Sequence, residues 1–366
     1  MPDLMQEERT FAGTLEALLE ISATALTAGG LLNLFLILPS LSRGYLDLPP
    51  GFGFRDTPAF ALAVILGIVA GPMLVRRLLG GWSPSRLFGR TRIPARYALL
   101  AGLLVAAALT LWSRMLMWMS PEILMPAWRS FGVTRPAELW AAIFYVTPLA
   151  AALPEEIFFR GYGQGSLLLR LGRPWALLIM AMSFSLAHSS QGPAAVLLAI
   201  LPAALALGLL YDGTGSILAP LAAHVLTNAL AFLQIGCSTF YPRWESIIIT
   251  TVTVSCLALL MAAWRHLPQA WIAARLLLVG LARDRTGMGL ALTCLPVAVV
   301  TVVVSLGLVS PLAGSGGGNP AALLGAAGLL WTAALVLHHR RDSPWGAEGV
   351  TRSEHEADDD PASRYV

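Results

Sequence analysis

In a chain that is 56% hydrophobic and 12% charged, the segment LPEEIFFRGY, Leu153 to Tyr162, sets two adjacent carboxylates and an arginine in apolar surroundings. Two further polar clusters follow: FSLAH, Phe184 to His188, and HVLTN, His224 to Asn228. Ionisable groups within a spanning run cost about 2.5–3.5 kcal/mol each on insertion scales, so they mark a bundle interior or a cavity. Carboxylate, imidazole and amide are the side chains that move protons and hold developing charge.

The spacing sorts these groups. Glu156 and Arg160 lie one helical turn apart with the acid first, the favourable order for an intrahelical pair. Glu155 points about 100° away on the helix and is left without that partner. His224 and Asn228 share a stripe, so both can project into one cavity. Gly172 marks a turn between two apolar runs, with Glu155 17 residues before it and His188 16 after it. Two antiparallel helices joined there bring carboxylate and imidazole face to face. Taken singly each has a plain reading: Glu156 with Arg160 as a brace cancelling buried charge, His188 and His224 as interior histidines, Phe184 as packing. The set argues otherwise, because the remaining four of six histidines, His266, His338, His339 and His355, fall in loops or the tail.

The elements that must position these residues are membrane helices. A helix crossing the hydrocarbon needs about 20 mostly apolar residues, and mean hydropathy is +0.69. About ten candidate spans recur, at 14–39, 58–75, 97–119, 137–157, 174–190, 193–211, 216–235, 244–264, 288–310 and 321–338. The expected fold is therefore an all-α polytopic bundle of about ten transmembrane helices. The expected divisions are 1–136 as leading spans, 137–235 as the core carrying all three clusters, 236–338 as additional spans, and 339–366 as a disordered polar tail. The acidic start, MPDLMQEERTFAG, lacks the basic n-region of a cleavable signal, so the first span is expected to stay. The helices at 193–211 and 216–235 are rich in Ala, Gly and Ser, which favours close helix packing.

All 24 basic residues are arginine. Lacking lysine, the chain cannot form a Ser–Lys dyad. Positive charge collects in cytoplasmic loops; with the N-terminus inside, eighteen arginines fall on inner segments and five outside, which implies cytoplasmic N- and C-termini. The segment 267–285 reads as an amphipathic helix along the inner surface or as a basic flanking loop. Arg114 reads as an anchor snorkelling among Trp112 and Trp118. Cys237, Cys256 and Cys294 are scattered and imply neither a disulfide framework nor a metal motif.

The motifs E-E-x-x-x-R, F-x-x-x-H and H-x-x-x-N, in this order and with the FRG at Phe159–Gly161, resemble the CPBP family of intramembrane proteases, which includes the CAAX prenyl endopeptidases and relatives linked to bacteriocin processing and immunity. The resemblance covers roughly 137–235 and fills every motif position: Glu155, Glu156, Arg160, Phe184, His188, His224 and Asn228. It implies a CAAX-protease-like core and an endopeptidase in which Glu155 is the general base. His188 holds the water and returns a proton, His224 and Asn228 face the oxyanion, and Glu156 with Arg160 holds the helix and its charges. Family members are often labelled metalloproteases, and Glu155, His188 and His224 could in principle hold zinc with an open fourth position. No H-E-x-x-H is present, which favours a metal-free glutamate-type mechanism.

The implied partner is a peptide or protein segment near the membrane, or a C-terminal tail, beside the lipid bilayer; nothing points to nucleic acid. A lysine-free, arginine-rich composition suggests a bacterial inner membrane. The rival reading is a non-catalytic immunity or scaffold protein that keeps the fold and binds peptides. A transporter would show broken helices in paired halves, and none is evident in the sequence.

Overall fold

The computed structural model describes residues 13, 15–21, 23, 93–121, 133, 135–171, 173–188, 193–264 and 333. The spans expected at 58–75 and 288–310, the surface helix at 267–285, the tail, and Cys294 lie outside the described residues, as do most of 14–39 and all of 321–338 but residue 333. Among the described residues every regular element is helical and no strand occurs. Five helices among the described residues are long and apolar enough to cross a membrane: α1 Ala95–Met119, α2 Pro136–Leu168, α4 Pro193–Thr214, α5 Leu218–Phe240 and α6 Glu245–Ala262. Between α2 and α4 lies the shorter α3, Arg173–Ala187.

Local chemistry explains the helix ends. Pro136 occupies the first turn of α2, where its missing N–H is not needed, and Glu138 Oε2 accepts from the Arg135 backbone N–H at 3.1 Å to close a capping box. α4 stops where Gly215 takes φ 63° in the left-handed region and its N–H reaches Tyr211 O at 2.8 Å. Ser216 then receives the Leu218 N–H on its hydroxyl at 3.3 Å and so starts α5. Asp212, which reads as a turn residue in YDGTGS, lies in the last turn of α4 and holds Arg173 Nε at 3.1 Å, tying the start of α3 to the end of α4.

Two expected spans change length. The run expected to end at 157 continues as a 33-residue helix. Within it, hydrogen bonding shifts to the wider π pattern over Ala142–Ala152, around Pro148, and again over Ile157–Gln164. Pro148 supplies no N–H to the ladder, and π turns absorb such a defect without ending the helix. The single α turn between the two stretches is Leu153–Glu156, which carries both glutamates. The run expected at 174–190 forms the 15-residue α3, about 22 Å long. That falls short of the roughly 30 Å hydrocarbon.

α2 is the buried centre. Every residue of Ile157–Gln164 is buried, and Ile157, Phe158, Phe159 and Tyr162 pack with Met180 and Phe184 of α3, Ala204 of α4, and Ala17, Leu18 and Ile21 of the N-terminal helical residues. α5 packs along α1 through Ala98, Ala106, Ala219 and Ala223, the close approach that small residues allow. The other face of α5 meets the start of α2 through Leu139, Ile143 and Phe232. α5 runs unbroken to Phe240, past the expected core boundary at 235. α6 buries only Cys256 and exposes Ile247, Val254, Leu257 and Met261. Apolar surface of this extent fits contact with lipid or another helix. Together these features are those of a helical membrane protein.

Candidate active site

The three motifs meet in one place. Glu155 comes from the α turn of α2, His188 from the turn residue just past α3, and His224 and Asn228 from the middle of α5. All four, with Phe184, line one cavity of about 320 Å³. Glu155 Oε2 stands 4.0 Å from His188 Nε2 and 3.8 Å from His224 Nε2. That oxygen is buried and has no hydrogen-bond partner among the described residues.

The second carboxylate is differently placed. Glu156 is fully buried, and its Oε1 accepts from Arg160 Nη1 at 3.1 Å and from His224 Nδ1 at 2.7 Å. Arg160 Nη2 donates to Ala204 O at 3.3 Å, and the guanidinium lies 4.5 Å over the Phe184 ring. Phe184 also packs its ring 4.7 Å from His188 and 5.8 Å from His224. It is the shared wall that sets both imidazoles.

These contacts decide which nitrogens carry protons. His188 Nδ1 faces Phe184 O at 2.8 Å; a carbonyl only accepts, so Nδ1 is the protonated nitrogen and Nε2 carries the lone pair. His224 Nδ1 faces a carboxylate already held by arginine, so it too donates. In the neutral rings, both Nε2 lone pairs therefore face the cavity beside Glu155 Oε2. A water among the three has acceptors for both of its hydrogens.

The spacing of this set can be compared with that of a zinc site. Ligands about 2.0–2.1 Å from tetrahedral zinc stand roughly 3.4 Å apart, shorter than both separations from Glu155 Oε2. Among the described residues no group of three His, Cys, Asp or Glu side chains has the mutual placement of a metal site.

Each residue singled out in the sequence has a place here. Glu155, His188, His224 and Asn228 line the cavity, while Glu156 and Arg160 lie behind it as a buried ion pair. Arg114 is half-buried; Trp118 is exposed, whereas Trp112 donates its indole N–H to Leu198 O at 2.6 Å and so ties α1 to α4. Cys237 and Cys256 are buried free thiols within α5 and α6. Other buried polar residues were not among those singled out by motif. Glu16 and Glu20, ionisable groups in an apolar run, are buried among the N-terminal helical residues, and Tyr162 donates to Glu20 Oε2 at 3.3 Å. Thr110 of α1 and Thr147 of α2 line the cavity as buried hydroxyls. A single hydroxyl or carboxylate in an apolar run announces no partner until the packing supplies one.

Comparison with curated proteins and with solved structures finds no match in either. A family model does match: type II CAAX prenyl endopeptidase Rce1-like, over residues 137–230. The matched stretch holds Glu155, Glu156, Arg160, His188, His224 and Asn228, the residues whose side chains converge around the cavity. Residues 137–230 of this chain thus resemble the type II CAAX prenyl endopeptidases of the Rce1-like family.

Proposed function

We propose that the chain is an intramembrane endopeptidase that hydrolyses a peptide bond with a water activated by Glu155. The observation that carries this reading is the position of Glu155 Oε2, without a hydrogen-bond partner among the described residues and within 4.0 Å of two imidazole nitrogens in one cavity. Water donates one hydrogen toward Glu155 Oε2 and the other toward His188 Nε2. As its oxygen attacks the scissile carbonyl carbon, Glu155 takes the first proton and the carbonyl oxygen becomes an oxyanion. Asn228 faces that oxyanion with its amide N–H. His224 stands beside it, its ring held through Nδ1 by Glu156. Collapse of the tetrahedral intermediate breaks the C–N bond, and the proton held by Glu155 passes to the leaving amine. Glu156 and Arg160 are positioning residues: they orient His224 and fix the α2 turn that bears Glu155.

The substrate in this reading is a membrane-proximal peptide segment or C-terminal tail, and the setting is a bacterial inner membrane. No step needs a metal. The test is cleavage of a peptide library by purified wild type, Glu155→Ala and His188→Ala. Cleavage by wild type that survives in Glu155→Ala removes Glu155 as the base. A wild type that binds labelled peptide and cleaves nothing favours the immunity or scaffold reading instead.

A further inference from the structure

Several helical hydroxyls among the described residues donate to the carbonyl one turn back: Thr214 to Leu210 at 2.7 Å, Thr227 to Ala223 at 2.8 Å, Thr253 to Ile249 at 2.7 Å and Ser185 to Ala181 at 2.8 Å. Thr110 and Thr147 depart from this habit. They are 4% and 1% exposed, and neither hydroxyl has a hydrogen-bond partner among the described residues. Both line the cavity that holds Glu155. For Thr147 the backbone gives a reason: it lies in the π stretch Ala142–Ala152, where the hydrogen-bond register differs from that of an α-helix. A buried hydroxyl without a partner is destabilising, and a bound ligand that supplies the partner removes that cost.

The placement indicates which ligand. α1 and the start of α2 both pack on α5, the helix that supplies His224 and Asn228. The two hydroxyls thus come from different walls of the cavity that α5 also lines. Thr147, Ala151 and Glu155 follow at four-residue steps and all face the cavity. Eight residues advance at most about 12 Å at the α-helical rise, and somewhat less through the π stretch that holds Thr147, whereas an extended peptide advances about 3.3 Å per residue. A peptide whose scissile bond lies at Glu155 therefore carries another peptide group beside Thr147 roughly three to four residues away. The cavity wall is largely apolar, with Leu109, Met117, Val146 and Ile200 among its lining.

We infer that the Thr110 and Thr147 hydroxyls form a subsite for the main chain of an extended substrate, about three to four residues from the bond that is cut. The inference rests on the protease reading of the same cavity. A hydroxyl both donates and accepts, so the pair can serve a peptide C=O and N–H, while the apolar wall takes the intervening side chains.

The experiment pairs Thr110→Val and Thr147→Val, which keep the shape without the hydroxyl, with cleaved peptides carrying one N-methylated amide at successive positions from the scissile bond. Each valine variant lowers kcat/KM about 3–10-fold, chiefly through KM, and the corresponding serine variant restores it. N-methylation at the amide held by the subsite weakens wild type by a similar factor and costs the valine variants nothing further. Unchanged kcat/KM in both variants, or losses that simply multiply, overturns the subsite. A wild type that cleaves no peptide removes the hydrolase reading separately. The subsite is then judged by affinity for a labelled peptide: weaker binding by the valine variants upholds it, and equal binding overturns it.

Discussion

His224 Nδ1 donates to Glu156 Oε1 across 2.7 Å, joining the middle of α5 to the motif turn of α2. The same oxygen holds Arg160 Nη1 at 3.1 Å, so one buried carboxylate fixes the charge balance of α2 and the orientation of an imidazole from another helix. A metal-ligating or catalytic histidine commonly has its second nitrogen held in this way. The neighbouring carboxylate is thereby freed for the cavity.

The division of labour between the two glutamates gives the first expectation. Glu155→Gln keeps the volume and removes the base, so kcat falls by about 10²–10⁴, while the thermal midpoint in detergent stays near that of wild type because Oε2 makes no hydrogen bond among the described residues. Steady-state kinetics beside thermal unfolding check both. A variant that loses stability and activity together would make Glu155 structural.

Glu156 behaves in the opposite way. Glu156→Ala leaves the buried Arg160 guanidinium without its carboxylate, a change worth about 3–5 kcal/mol of stability. The double variant Glu156→Leu with Arg160→Met removes both charges and recovers most of that loss, yet stays poorly active because His224 has lost the group that orients it. Equal stability of the single and double variants would show that the ion pair is not coupled.

Metal removal separates the two mechanisms left open by residue types alone. Dialysis against a strong chelator leaves peptide cleavage within about twofold of the untreated enzyme, since proton transfer through Glu155 draws on side chains. Loss of activity on chelation with recovery on adding zinc would replace the glutamate mechanism by a metal one.

The α1–α5 contact makes a prediction about packing. A Cβ at Gly102 would stand 2.5 Å from Ala219 O and 3.1 Å from Ala222 Cβ, so backbone must move to admit it. Gly102→Ala therefore costs about 1–3 kcal/mol. At Gly213 nothing lies within 4 Å of the same Cβ, and Gly213→Ala is neutral or stabilises by up to about 1 kcal/mol. Thermal unfolding of both variants in one detergent checks the contrast; equal midpoints would contradict the close approach of the two helices.

Sequence by itself determined the apolar runs that became α1, α4, α5 and α6, because a spanning helix needs only length and hydropathy. It also determined the Glu156–Arg160 pair and the shared stripe of His224 and Asn228, because contacts one turn apart are set by helix geometry alone. Tertiary structure decided the rest. The span expected to end at 157 continues instead, because π turns and burial on every side carry α2 on through Gly161 and Gly163. The bond between Glu156 and His224, 68 residues apart in the chain, exists only because α5 packs across α2. Likewise, Thr110 and Thr147 look like any threonine in an apolar helix until a cavity forms beside them. Local spacing prescribes what one helix can offer, whereas the partner of each offered group depends on which helices close-pack around it.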